Sequence, residues 1–297
     1  MITAFHGDPA VKQTLGDRVA RHIADGTLVI GNTYWDGVSG SPLGVSVEGT
    51  DVEAYVATFG YPLPLAGMLD PLTAMMGMGN AANAFVRDWV DVVAPGADLS
   101  PVSAKLMRHM VETAQTDTRG EMLKQKVVAL HSRDSAEAPV GRAEWSAVRN
   151  EISVARDTAS DDSLLTGTLA LLDAACWPAG RGYTPLSATL SACIDLVTQI
   201  PDPEWTEADN KRSDTFFMAM EQELQPRMAA GEDLDFTAIC KEREPEIYAR
   251  YEAFSARYLG RIRNRASDIA TRCLTEMRSA SAASRTLEFS DGLSQRA

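Results

Sequence analysis

The chain has 297 residues, 45% hydrophobic and 23% charged, which is globular usage and enough length to bury one large core or two ordinary ones. Its net charge of −13 repels nucleic acid and anionic membranes, so neither is an expected partner. No window approaches the ~20 apolar residues of a membrane helix, no leader pattern is visible, and Cys176, Cys193, Cys240 and Cys273 form no close pair, so a cytoplasmic protein with reduced thiols, no metal and no cofactor is expected.

Asp8-Pro9 reads as an N-cap followed by a first-turn proline, and Val11, Leu15, Val19 and Ile23 place an apolar stripe on the helix that ends at Gly26, with His22 beside it. Leu28-Val29-Ile30 then leads into a stretch, Gly31 to Gly49, that holds five of the chain's 21 glycines behind Tyr34 and Trp35. Its far side, Gly44 to Glu48, alternates apolar and polar residues, which suits a small β-hairpin over residues 28–48.

Thr50 to Glu53 has the form of a capping box for a helix ending at Gly60. Further helices are expected from Leu65 to Met76, from Ala81 to Val93, after Ser100-Pro101, through Val127 to Leu130, and around Trp145, Val148, Ile152 and Ala155. Asp161-Asp162-Ser163 reads as the cap of a helix through Cys176, and Trp177 to Pro185 as a turn-rich loop. Helices over Leu186–Ile200, Thr206–Met228 and Glu246–Arg278 follow, the second carrying Phe216, Phe217, Met220 and Leu224. The fold class is therefore mainly α and bundle-like. The domain reading is 1–158, 159–285 and a flexible tail over 286–297, with the boundary in the polar segment 156–163.

On the last helix, Arg250, Arg257, Arg261, Arg265 and Arg272 recur at spacings of 7, 4, 4 and 7, one stripe beside an apolar face of Tyr251, Phe254, Tyr258, Ile262 and Ile269. Residues 202–246 just before it carry 13 acids against five bases. Three readings of the stripe stand: structural pairing with those acids, which is preferred, binding of phosphate or nucleic-acid backbone, whose oxygens the guanidinium fork matches, or an acidic patch of a protein partner. Nucleophile-and-base motifs are absent: there is no Gly-x-Ser-x-Gly elbow, no phosphate loop with its lysine and no His-Glu-x-x-His helix. His109 and Glu112 lie one turn apart without a second ligand pair, too few for a metal. His6, next to Asp8, reads first as part of the helix cap. Tyr34 and Trp35 are anchors for the Gly-rich loop or a platform for a protein partner.

The segments Phe5-His-Gly-Asp-Pro-Ala-Val-Lys12, Arg18 to Asp25, Gly31-Asn-Thr-Tyr-Trp35, Tyr55 to Pro62, Leu65 to Asp70, Pro95 to Ser100 and Glu144-Trp145-Ser146 occur here in that order. Over residues 5–155 the chain thereby resembles a family of uncharacterised bacterial and phage open reading frames. The resemblance implies no activity. The family pattern has a Gly-Cys-x-x-Gly-Cys loop with two histidines after it, whereas this chain has Ser41, Val45, Glu48 and Val52 there; His6 and His22 are kept. Any metal or redox site of the relatives' loop is therefore not expected here.

The function expected is non-catalytic: an intracellular regulator or inhibitor, phage- or prophage-related, that binds a protein. Two alternatives accompany it. One is an enzyme on a small phosphorylated or nucleotide-like substrate, using His6, His22 and the Gly31–Gly49 loop. The other is an assembly protein that oligomerises through residues 246–278.

Overall fold

The computed structural model describes residues 3–134, 138–159, 163–180, 182 and 184–294, with side chains through 284 except that of Ser163. Among these residues there is no strand, and the chain divides into two units, residues 1–199 with 263–297, and residues 200–262. The divide falls elsewhere than at 158: the helices on either side of 159–163 pack on one another inside the first unit.

In the first unit, a 3-10 turn (Ala4–Gly7) precedes α1 (Pro9–Ala24), where Asp8 accepts the Ala10 amide at 2.8 Å and Pro9 takes the first helical position. Leu15, Val19 and His22 form its buried stripe. The expected hairpin does not form. Leu28 and Gly40 meet in an isolated bridge, as do Trp35 and Gly40, and the far side of the loop is a helix, α2 (Pro42–Val47). Its cause is Ser41, whose hydroxyl caps the Gly44 amide at 3.1 Å ahead of a first-turn proline. Gly44 is required there, because a Cβ would run into the Tyr34 carbonyl.

The next helix, α3 (Val52–Phe59), is capped by Asp51, not Thr50, with Asp51 accepting the Glu53 amide at 2.9 Å. The turn α4 (Leu63–Ala66), then α5 (Leu69–Met76) and α6 (Asn80–Asp91), complete a first layer around Phe5, Tyr55, Phe59, Tyr61, Phe85 and Trp89. Tyr61 stacks on Trp89 and donates to its carbonyl at 2.9 Å, while the Trp89 indole donates to the Tyr55 hydroxyl at 3.1 Å, so the buried polar tips are satisfied. A second layer is built from α7 (Val102–Glu112), α8 (Thr118–Arg133), α9 (Arg142–Asp157), α10 (Ser163–Ala175) and α11 (Thr184–Thr198). The expected cap at 161–162 lies outside the described residues.

The second unit contains α12 (Glu207–Ala229), α13 (Phe236–Arg243) and the start of α14 (Pro245–Ser294). A capping box of Thr206 and Asp209 opens α12. Residues 263 onward of α14 belong to the first unit, where Ala266, Ile269, Ala270, Cys273 and Met277 are buried. The helix does not stop near Arg278 as expected but stays helical to Ser294; residues 295–297 of the expected tail lie outside the described residues. No described helix is long and apolar enough to cross a membrane.

Candidate functional site

Each residue singled out in the sequence has an identifiable set of contacts. Phe5 and His6 are both held in the left-handed region, at φ 53°, by the paired backbone bonds between Ala4 and residues 96–97. That turn buries the Phe5 ring and brings the His6 Nε2 to 2.9 Å from the Ala57 carbonyl on α3, so His6 ties two elements together. His22 is buried elsewhere, its Nδ1 2.7 Å from the Thr27 hydroxyl and its ring edge-on to Trp35 at 5.7 Å. Burial, with Arg21 beside it, lowers its pKa and favours the neutral ring. Tyr34 is exposed and donates to Asp36 at 2.8 Å. The contacts of His6, His22 and Tyr34 are thus with separate neighbours and hold loops in place.

The Gly-rich loop is fixed from below by Asp70, a carboxylate 1% exposed at the start of α5. Its two oxygens accept from the Ser41 hydroxyl at 2.7 Å and from the Leu43 amide at 2.8 Å. The loop is shaped by this latch.

The arginine stripe is engaged along its whole length. Within the second unit, Arg250 grips Asp209 through two nitrogens at 3.0 and 2.6 Å, and Arg257 pairs with the nearly buried Asp202 at 2.8 Å and with Glu204 at 2.9 Å. Arg261 donates to the Ile200 carbonyl at 2.8 Å. Within the first unit, Arg265 donates to Asp268, to the Met110 carbonyl and to Thr113, and Arg272 pairs with Glu276 at 2.5 Å. The hydrogen bonds to Arg250 hold the Asp209 carboxyl down at about 2. Two of the five, Arg250 and Arg257, thus meet acids of residues 202–246, whereas Arg261 bonds to a backbone carbonyl and Arg265 and Arg272 bond within the first unit. His109, too, faces Asp268 at 3.1 Å and not a second ligand, and no group of three potential metal ligands occurs among the described residues. Tyr251 and Leu259 are the exposed large apolar residues of the 246–278 segment proposed for oligomerisation.

Residues that the sequence reading did not single out for binding enclose a larger feature. In the second unit α12, α13 and α14 surround an open groove of about 770 Å³ whose apolar walls are Phe217, Leu224, Met228, Phe236, Tyr248 and Tyr251. Phe217 packs edge-on to Tyr251 at 4.7 Å, and Met228 at the rim is 50% exposed. One carboxylate, Glu221, lines the groove, and it has no ion-pair partner among the described residues. Glu207 and Asp214, outside the groove's lining, precede it at seven-residue spacing on the same side of α12 and are exposed, with no ion pair among the described residues. The legible signal was the Phe216-Phe217 pair; the remaining walls come from helices whose order in space the sequence does not give.

Compared with known protein families, curated proteins and solved structures, the chain has no match.

Proposed function

We propose that this chain is a non-catalytic interaction protein, a regulator or inhibitor, whose second unit takes a basic amphipathic helix of another protein into the groove between α12, α13 and α14. The observation that carries the reading is the groove itself, an open, largely apolar trough with one acid, Glu221, in its lining. Helix-in-groove recognition needs an apolar floor for side chains at i, i+3/i+4 and i+7, and the aromatic and Met walls supply one. Glu207, Asp214 and Glu221 select lysine or arginine on the ligand's flank and disfavour acidic helices. The four free, buried cysteines fit a reducing, cytoplasmic setting, and the resemblance to bacterial and phage reading frames is part of the same proposal.

The test uses the full chain and a dye-labelled amphipathic helix of leucine and lysine, followed by anisotropy, with the leucine–glutamate version as control. The basic peptide is expected to bind and the acidic one not. Met228→Glu and Glu221→Lys, both at exposed positions, are expected to weaken binding at least about ten-fold. Equal binding of the two peptides, or no effect of Met228→Glu, overturns the reading. A dimer in sedimentation that Met228→Glu dissociates would instead assign the groove to a second copy.

A further inference from the structure

A second site, independent of the groove, lies in the first unit at the start of α9. There Arg142, Trp145 and Arg149 follow one another at spacings of three and four and so share a face of the helix. Opposite them stand Trp177, Pro178 and Pro185, and the two sides enclose a cavity of about 230 Å³. Three features distinguish it from a chance indentation.

The first is uncompensated charge. Arg133 and Arg156 nearby are ion-paired, with Glu144 and Asp173 at 2.9 and 3.2 Å, but among the described residues neither Arg142 nor Arg149 has a carboxylate partner. In a chain of net charge −13, two adjacent unpaired guanidiniums in one cavity are conspicuous. The second is preorganisation. The Arg149 guanidinium lies 3.5 Å from the centre of the Trp177 ring and donates one N–H to the Ser146 hydroxyl at 3.2 Å, which fixes its plane while leaving other donors uncommitted. The third is unmet donor capacity. Gly141 is the N-cap of α9 and provides no side-chain acceptor, so the first amides of a 16-residue helix have no side-chain cap. Trp145, 1% exposed, has an indole N–H without a hydrogen-bond partner.

We infer that this cavity binds a small organic molecule carrying an oxyanion, carboxylate or phosphate, on a flat apolar body. The two guanidiniums and the helix start receive the oxyanion, since each favours negative charge and neither guanidinium has a carboxylate partner among the described residues. Trp145, Trp177, Pro178 and Pro185 give the cavity its apolar lining for the body. The volume holds one aromatic ring with its anionic group and excludes a peptide helix.

The experiment is a titration of the full chain with phenyl phosphate, benzoate and neutral benzyl alcohol, read from the tryptophan indole N–H resonances assigned through Trp177→Phe. Phenyl phosphate or benzoate is expected to shift the Trp145 and Trp177 signals, with benzyl alcohol at least about ten-fold weaker, the loss of one charge-assisted hydrogen bond being worth that factor. Arg142→Gln with Arg149→Gln is expected to abolish the shifts while the backbone spectrum stays folded, and Met228→Glu in the other unit to leave them unchanged. A phosphate-only response assigns the head group to phosphate, and a benzoate-only response to carboxylate. Equal binding of benzyl alcohol, an undiminished response in the folded double variant, or no shift with either anion overturns the inference.

Discussion

Asp70 is the residue on which the local architecture of the Gly-rich loop turns, because one carboxyl group receives the Ser41 hydroxyl and the Leu43 amide while itself almost fully buried. Burial raises its pKa, and the hydrogen bonds from Leu43, Ser41 and Thr33 oppose that rise without cancelling it. The sign of the linkage follows. A carboxyl whose folded pKa is raised binds its proton more tightly in the folded chain. Its contribution to stability is therefore largest below the ordinary value of 3.8 and is lost as pH rises through the raised one. Asp209, held at about 2 by Arg250, behaves in the opposite way: its contribution is present above 3.8 and is lost as pH falls toward 2. For Asp70→Asn, one of two acceptor oxygens becomes a donor facing donors, and a loss of about 1–3 kcal/mol in urea unfolding is expected. The gap between wild type and variant is expected to widen from pH 8 to pH 4. A gap that narrows would mean that the folded chain favours the ionised form.

At the scale of elements, α2 shows which signals in the sequence outrank others. Asp8-Pro9 and Ser41-Pro42 have the same cap-then-proline form, and both start helices. Only the first is obvious, because Gly44, Val45, Ser46 and Val47 also alternate in the manner of a strand. The local cap and the long-range latch from Asp70 decide in favour of helix, and the second of these is invisible in the sequence. Helix positions along α1, α6, α9 and α12 were legible from apolar periodicity and caps, whereas the groove and the cavity were not. Phe217 and Tyr251 lie far apart in sequence and meet only because α12 and α14 pack, and Trp177 reaches Arg149 from a loop with no periodicity to read. The Arg142, Trp145, Arg149 spacing was the one available clue to the cavity. The helix assignment of α2 has its own consequence. Gly44→Ala is expected to destabilise by about 1–3 kcal/mol, the usual cost of forcing atoms into a packed site, since its Cβ would strike the Tyr34 carbonyl. Gly49→Ala, where the nearest atoms are 3.9 Å and more from the added carbon, is expected to be close to neutral. Thermal unfolding of the two variants decides the point, and equal losses would contradict the tight approach at Gly44.

At the scale of the whole molecule, the two units differ in what they bury. The first carries the aromatic layer around Trp89 and the helical layer around Trp145, Leu169 and Leu172, while among the fully or nearly buried residues of the second are Met220, Leu224, Cys240 and Ile247. Hydrophobic stabilisation scales with apolar area removed from water, so the unit with the smaller core opens at lower free energy. The cysteines report on this directly. All four are free and buried; Cys240 lies in the second unit, and Cys176, Cys193 and Cys273 lie in the first. Burial raises every one of these thiols, that of Cys176 to about 12, so the thiolate that reacts with an alkylating reagent is scarce until the site opens. Under native conditions a pulse of iodoacetamide read by peptide mass spectrometry is expected to label Cys240 at least about ten-fold faster than the other three, a factor that corresponds to ~1.4 kcal/mol between the two openings. Saturating the groove with the basic helix is expected to slow Cys240 alone, because a ligand that binds only the closed form stabilises that form by mass action. Simultaneous labelling of all four thiols would make the chain a single cooperative unit and would remove the basis for treating the groove-bearing segment as a separate docking module.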